Sequence, residues 1–192
     1  MLFRSGSQLP LGDPAKLAKI LFCYDNPPGK QEISGSQDSI GIVFPGLAKA
    51  DYNGEYWPKK IDTNHEEDIL SFAENLFYLL PLGPREDGYS VLSNTHISAE
   101  GAKTLAVVTE RCWEALLAKN AVKFGQHFRE SFEAQIAMFP NMVNPSILGL
   151  IETYRDHTLG WKISGAGGGG YLILVSERPI EDALRVVVRR AG

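Results

Sequence analysis

Gly160-Trp161-Lys162-Ile163-Ser164-Gly165-Ala166-Gly167-Gly168-Gly169-Gly170-Tyr171-Leu172-Ile173-Leu174-Val175 is the stretch on which this chain turns. Two short apolar runs flank a segment holding five glycines in six positions. Each run is strand-like, so the pattern predicts a strand, a glycine loop and a returning strand. Glycines adopt backbone conformations that side chains forbid. They also let neighbouring N–H groups converge on one anion. From the loop alone, a structural turn with no ligand stays open beside an anion cradle.

Two familiar glycine motifs fail on context. The six residues fit G-x-G-x-x-G literally, but a dinucleotide fingerprint needs a following helix and an acid about 20 residues on. Here a strand-like run follows, and the chain ends soon after Arg189 and Arg190. A phosphate loop of the G-x-x-x-x-G-K-[ST] type needs Lys and Ser or Thr after its last glycine. Tyr171 and Leu172 stand there instead.

The 192 residues suit one large domain or two small ones, and the net charge is −4. No block of Lys and Arg marks a nucleic-acid footprint. No apolar run is long enough to span a bilayer, so no membrane partner is expected. Met1-Leu2-Phe3-Arg4 leads into a polar stretch and does not read as a signal peptide. Cys23 and Cys112, each on a helix-like pattern, read as buried free thiols, with a reducing, cytoplasmic compartment as the expectation. His65, His96, His127 and His157 are widely spaced and show no metal-ligand pattern, so no protein-held metal is expected.

Along the chain, Asp13-Pro14 predicts a capped helix over 14–24, with Leu17, Ile20, Leu21 and Tyr24 on its inward face. A second helix opens near Ser36 or Gln37 and ends by Pro45-Gly46. Residues 47–61 read as strand, turned at Tyr52-Asn53-Gly54-Glu55. Residues 66–74 fit helix or strand; 76–82 fit a strand, and 89–93 another. Ser98 caps a helix to about Lys119, a phenylalanine-rich helix stops at Pro140, and Asn144-Pro145 starts a third. A final helix is expected after Pro179, with Arg185, Arg189 and Arg190 as a solvated face. The sum is an α+β layer of helices on a small sheet.

Two segments together resemble the GHMP small-molecule kinases (galactokinase, homoserine kinase, mevalonate kinase, phosphomevalonate kinase). Residues 161–171 look like that family's third motif. Ser34-Gly35-Ser36-Gln37-Asp38-Ser39-Ile40-Gly41 resembles the GG-x-x-DQ segment of its sugar-kinase branch, with L-fucose and heptose-phosphate kinases nearest. Asp156-His157-Thr158-Leu159-Gly160 strengthens the fucose-kinase comparison. The resemblance runs from about residue 10 onward. It implies a ribosomal-protein-S5-like first domain, here a truncated remainder over 1–83, and a ferredoxin-like C-terminal domain over 84–192. The family's nucleotide motif, P-x-x-x-G-L-G-S-S, does not occur in the sequence. The chain is therefore expected to be the C-terminal portion of a longer or split kinase, inactive without an N-terminal ATP-binding segment or subunit.

The resemblance implies an ATP-dependent transfer of the γ-phosphoryl group to a hydroxyl of a sugar or sugar phosphate, with Mg²⁺ arriving on the nucleotide. It makes Asp38 the base or orienter of the acceptor hydroxyl. Near a helix start its carboxylate would be held by local N–H groups; read without the resemblance, Asp38 is a plain helix-start acid. Gly165, Ala166, Gly167, Gly168, Gly169 and Gly170 would shape the phosphate side, and Gly35, Ser36 and Gln37 the acceptor side. Glu133, Gln135 and Asn141 line the acceptor pocket or are plain surface polarity, with Gln135 the residue carried forward. Lys162 is a solvated strand lysine or a phosphate ligand. Two departures from the motif, Ser39 for Gln and Gly35-Ser36-Gln37 for Gly-Gly-Trp, leave the acceptor unnamed. A non-catalytic ligand-binding or partner module that kept the fold is the alternative.

Overall fold

The computed structural model describes residues 12–84 and 90–191. The chain divides into two compact units, one of residues 1–70 and 188–192, the other of residues 71–187.

In the first unit, α1 (Pro14–Asp25) begins at Asp13, whose carboxylate accepts from Ala15 N–H at 2.9 Å, with proline at the first helical position. α2 (Gln37–Val43) follows a loop held by Asn26 and Lys30. The Asn26 carboxamide oxygen accepts from Ser34 N–H at 2.7 Å, and the Lys30 ammonium donates to Ser34 Oγ at 2.7 Å. β1 (Leu47–Asp51) pairs antiparallel with β2 (Lys60–Asn64). The core is Ala18, Ile40 and Val43, with Leu17, Leu21, Trp57 and Ile61 packed around it. The inward face of α1 thus runs through Leu17, Ala18 and Leu21. The expected Ile20 and Tyr24 are 65% and 60% exposed, because the small Ala18 is the residue that meets α2. Cys23, expected to be buried, is exposed on the same outer side.

α3 (Glu67–Leu76) settles the open assignment of 66–74 as helix. It leads directly into β3 (Phe77–Leu82), which lies in a four-stranded antiparallel sheet of order β4-β5-β3-β6. β4 is Gly160–Ile163, β5 is Gly170–Val175 and β6 is Leu184–Arg185. Register puts Tyr78 opposite Leu174 and Leu80 opposite Leu172, with Trp161 and Ile163 beyond on the same face. These six residues bury against Phe132, Ile147 and Ile151. The covering helices are α5 (Ala121–Met138) and α6 (Pro145–Tyr154), and α4 (Ala99–Leu117) packs on α5. Ser98, Asn120 and Asn144 cap the three helices through their side chains. Among the described residues, no helix is long and apolar enough to cross a membrane.

Two expected elements are absent. Of the predicted strand 89–93, Tyr89 lies outside the described residues, and Val91–Asn94 form a turn. Asn141 holds that turn by donating to Ser90 O and Ser93 Oγ, and Asn94 sits at φ 60°. The final helix is replaced by β6 and an irregular tail. Arg185 is not a solvated charge: its guanidinium lies 4.6 Å from the Tyr78 ring centre and donates to Tyr78 Oη at 2.6 Å. Arg190 forks onto Glu67, Arg189 donates to Val43 O, and Gly46 N–H donates to Arg189 O at 2.7 Å. These tail bonds, and three consecutive β-branched valines at 186–188, override the helical reading of the charges.

α5 crosses the edge strand β4 at bare backbone. A Cβ on Gly160 would lie 2.3 Å from Gly125 O. Gly160→Ala should therefore cost about 2–3 kcal/mol by forcing the two elements apart. Gly149→Ala, in open space on α6, should be neutral or stabilising by up to about 1 kcal/mol. Urea unfolding of both variants checks this; equal midpoints would remove the close approach as a constraint.

Candidate active site

The glycine loop is built, not floppy. Gly165, Gly167, Gly168 and Gly170 all have positive φ, between 64° and 89°. A Cβ on Gly167 would meet the Cα of Met142 at 2.7 Å, and Gly168 N–H donates to Met142 O at 2.8 Å. The loop base is tied by Ser164, whose N–H donates to Tyr171 O and whose Oγ accepts from Tyr171 N–H. Gly168 is thus not one of the free amides anticipated from sequence. Among the described residues, the amides of Gly165, Ala166 and Gly169 make no hydrogen bond. Gly168 and Gly169 line a cavity of about 200 Å³ with Asn144, Ser146 and Ile147 of the α6 start and with Leu82, the last residue of β3, and Gly83 and Pro84 after it. Among the described residues, no charged side chain lines it. From the described residues, an anion there would meet peptide dipoles and a helix N-terminus.

The Asp38 segment lies in the other unit. Asp38 stands in the first turn of α2 and is exposed, as are Gly35 and Gln37. Among the described residues its carboxylate accepts no hydrogen bond, so the local N–H groups expected to hold it do not engage it. Ser36 is completely buried. It is the N-cap of α2, yet its hydroxyl makes no cap bond. Instead Ser36 Oγ donates to Tyr56 O at 2.7 Å and sits 2.9 Å from Tyr52 Oη.

Gln135, on α5, has its side-chain oxygen buried without a hydrogen-bond partner among the described residues. A buried acceptor left open in this way is uncommon and suits a polar ligand or water. Glu133 is exposed, and Asn141 is occupied with the 90–93 turn. Lys162 is neither a fully solvated lysine nor a lining residue of the loop cavity. Its ammonium donates to the buried Ser131 Oγ of α5 at 2.7 Å. Burial pushes its pKa down to about 8, and burial pushes the nearby Cys112 thiol up to about 11. A larger cavity, about 710 Å³, opens at the other end of the β4–β5 hairpin. It is lined by Asp156, His157 and Thr158 with Glu177, Arg178 and Glu181, so that motif segment does not reach the glycine loop.

Sequence reasoning missed the α6 start as part of the loop cavity and the tie between Ser36 and the 52–59 loop. Asn144-Pro145 was legible as a helix start, and a helix start beside a glycine loop was the available signal. Nothing local in the sequence joins Ser36 to residues 16 and 20 positions later.

The shifted lysine gives a pH dependence. Above pH 8 folded Lys162 has lost its proton, while the unfolded chain holds it to about 10.5. The unfolded state then binds more protons, so stability rises with pH. From pH 9 the Cys112 thiol opposes this, since the folded state keeps its proton to about 11. The expected window is pH 8 to 9, with a gain of about 1 kcal/mol that Lys162→Met removes. An unchanged slope in that variant, measured by urea unfolding, would contradict the assignment.

No family model matches the chain. A curated relative, the L-fucokinase/L-fucose-1-P guanylyltransferase of Bacteroides fragilis, is 36% identical over 73 residues, which are 38% of this chain and 8% of that protein. The crystal structure of a mevalonate kinase superposes with a TM-score of 0.66 at 19% identity, over 94% of this chain and 59% of that one. The mevalonate kinase of Methanococcus jannaschii gives 0.58 at 17% identity, over 95% and 58%. A D-glycero-D-manno-heptose 1-phosphate kinase from Bacteroides thetaiotaomicron gives 0.55 at 15% identity, over 88% and 46%. The chain thus spans about half of the solved kinases it matches. Its α+β architecture is the fold of these small-molecule kinases, and its 73-residue match to the Bacteroides fragilis protein is a local sequence similarity.

Proposed function

We propose that this chain is part of an ATP-dependent kinase that phosphorylates a hydroxyl of a sugar or sugar phosphate. The observation that carries this is the glycine loop, held in positive-φ geometry against Met142 beside the α6 start, in a fold shared with small-molecule kinases. Bound ATP would supply the phosphoryl group, with Mg²⁺ accompanying it. The described residues fit such a nucleotide in part: Gly165, Ala166 and Gly169 offer amides, and Ser146 lines the same cavity. They bring no cation, and the P-x-x-x-G-L-G-S-S motif does not occur in the sequence, so activity needs a segment that bears it. Among the described residues no cluster of His, Cys, Asp and Glu is arranged to hold a metal ion.

Asp38 would orient or deprotonate the acceptor hydroxyl. Its exposed carboxylate, free of other hydrogen bonds among the described residues, is available to accept that proton. The open carboxamide oxygen of Gln135 would accept from a second hydroxyl. Gly35 and Gln37, exposed on either side of the buried Ser36, would contact the sugar. A second reading is a non-catalytic ligand-binding module. It is favoured by one observation, the commitment of Gly168 N–H to Met142 instead of to a ligand.

The test mixes the chain, alone and joined to a segment bearing the nucleotide motif, with ATP, Mg²⁺ and a panel of sugars, and follows ADP release. Turnover is expected in the joined form. Asp38→Asn should lower kcat by about 10²-fold or more while sparing ATP affinity. Absence of turnover in the joined form supports the binding module instead.

A further inference from the structure

Residues 52–59, between β1 and β2, were legible only as a turn. In the structure they are an anchored platform. Pro58 is buried, Trp57 packs on Phe22 with ring centres 5.8 Å apart, and the Lys19 ammonium lies 5.8 Å from the Trp57 ring centre. Lys59 N–H closes the base by donating to Asp51 O at 2.8 Å. On this fixed frame two aromatic side chains stay outside: Tyr52 is 39% exposed and Tyr56 is 62% exposed. Singly exposed aromatics are ordinary; here two share one anchored loop, and one of them is hydrogen-bonded to the turn before Asp38.

The link to Asp38 is Ser36. A serine at a helix N-cap normally bonds its own helix, and forgoing that bond costs about 1 kcal/mol. Here the hydroxyl is spent on Tyr56 O and Tyr52 Oη. One fully buried side chain therefore ties the tyrosine loop to the turn that presents Asp38 two residues later. A tyrosine ring offers an apolar face with a polar tip, which suits a ligand whose C–H face and hydroxyl edge alternate, as in a pyranose.

We propose that the 52–59 loop is the acceptor-selecting wall beside Asp38, with the rings of Tyr52 and Tyr56 packing on a pyranose face and Ser36 as the positioning residue that sets their place. This rests on the sugar-kinase reading above and adds the determinants of acceptor choice. The wall would hold the ring and leave one hydroxyl to Asp38. It would favour pyranoses with an unbroken apolar face over open-chain polyols of equal hydroxyl count.

The test titrates the full chain with a panel of monosaccharides and matched open-chain polyols, by calorimetry and by the fluorescence of Trp57 beside Tyr56. A pyranose should bind at least 5-fold tighter than its polyol. Tyr56→Ala and Tyr52→Ala should each weaken the pyranose about 5- to 10-fold and erase that preference. Tyr52→Phe, which keeps the ring, should stay within 2-fold, and Ser36→Ala should weaken binding less than either alanine variant of the tyrosines. Tyr56 contributes only its backbone to the Ser36 bond, so Tyr56→Ala keeps the test valid should Tyr52→Ala fail to fold. Pyranose binding that Asp38→Asn weakens and both tyrosine variants leave intact overturns the wall and spares the kinase reading. No binding of any sugar by the wild-type chain, either alone or joined to a segment bearing the nucleotide motif, overturns both.

Discussion

Gly167 has no room for a side chain: a Cβ would press on the Cα of Met142, and the next residue's N–H is already bonded to Met142 O. That single contact fixes the loop that lines the smaller of the two cavities described in the second unit. It joins the β4–β5 hairpin to the segment between α5 and α6, so the α6 start and the loop amides line one space. The hairpin is in turn fixed by the apolar face of Tyr78, Leu80, Leu172 and Leu174, which α5 and α6 cover. Packing of ordinary residues thus holds a run of glycines in conformations that would otherwise be lost to backbone entropy.

The first unit solves a similar problem with a polar side chain. Ser36, fully buried, gives up the cap of α2 and joins two points of the 52–59 loop. The exposed Asp38 is carried on the turn this creates. One unit therefore offers peptide amides and the other an exposed carboxylate.

Much of this was legible in the sequence, and the rest was not for identifiable reasons. Helices α4 to α6 and strands β3 to β5 follow from apolar period and caps, because local pattern and tertiary packing agree there. The last helix did not form because Arg185, Arg189 and Arg190 find partners on Tyr78, Val43 and Glu67, contacts that bridge more than 100 residues of sequence. The inward face of α1 differs from its apolar pattern because its neighbour selects the small Ala18 over the larger Ile20. The glycine loop and Asp38 stand in recognisable motifs. The engagement of Gly168 by Met142, the diversion of Ser36 and the open oxygen of Gln135 are long-range hydrogen-bond facts with no local signature.

The loop at 165–170 and the carboxylate of Asp38 are proposed to serve one reaction. The most direct measurement is a crystal structure of the chain, joined to a nucleotide-motif segment, with a sugar and a non-hydrolysable ATP analogue. A sugar hydroxyl is expected within about 3 Å of an Asp38 carboxylate oxygen, with loop amides turned to the phosphates of the same complex. A sugar bound away from Asp38, or phosphates seated away from the loop, would contradict the shared role.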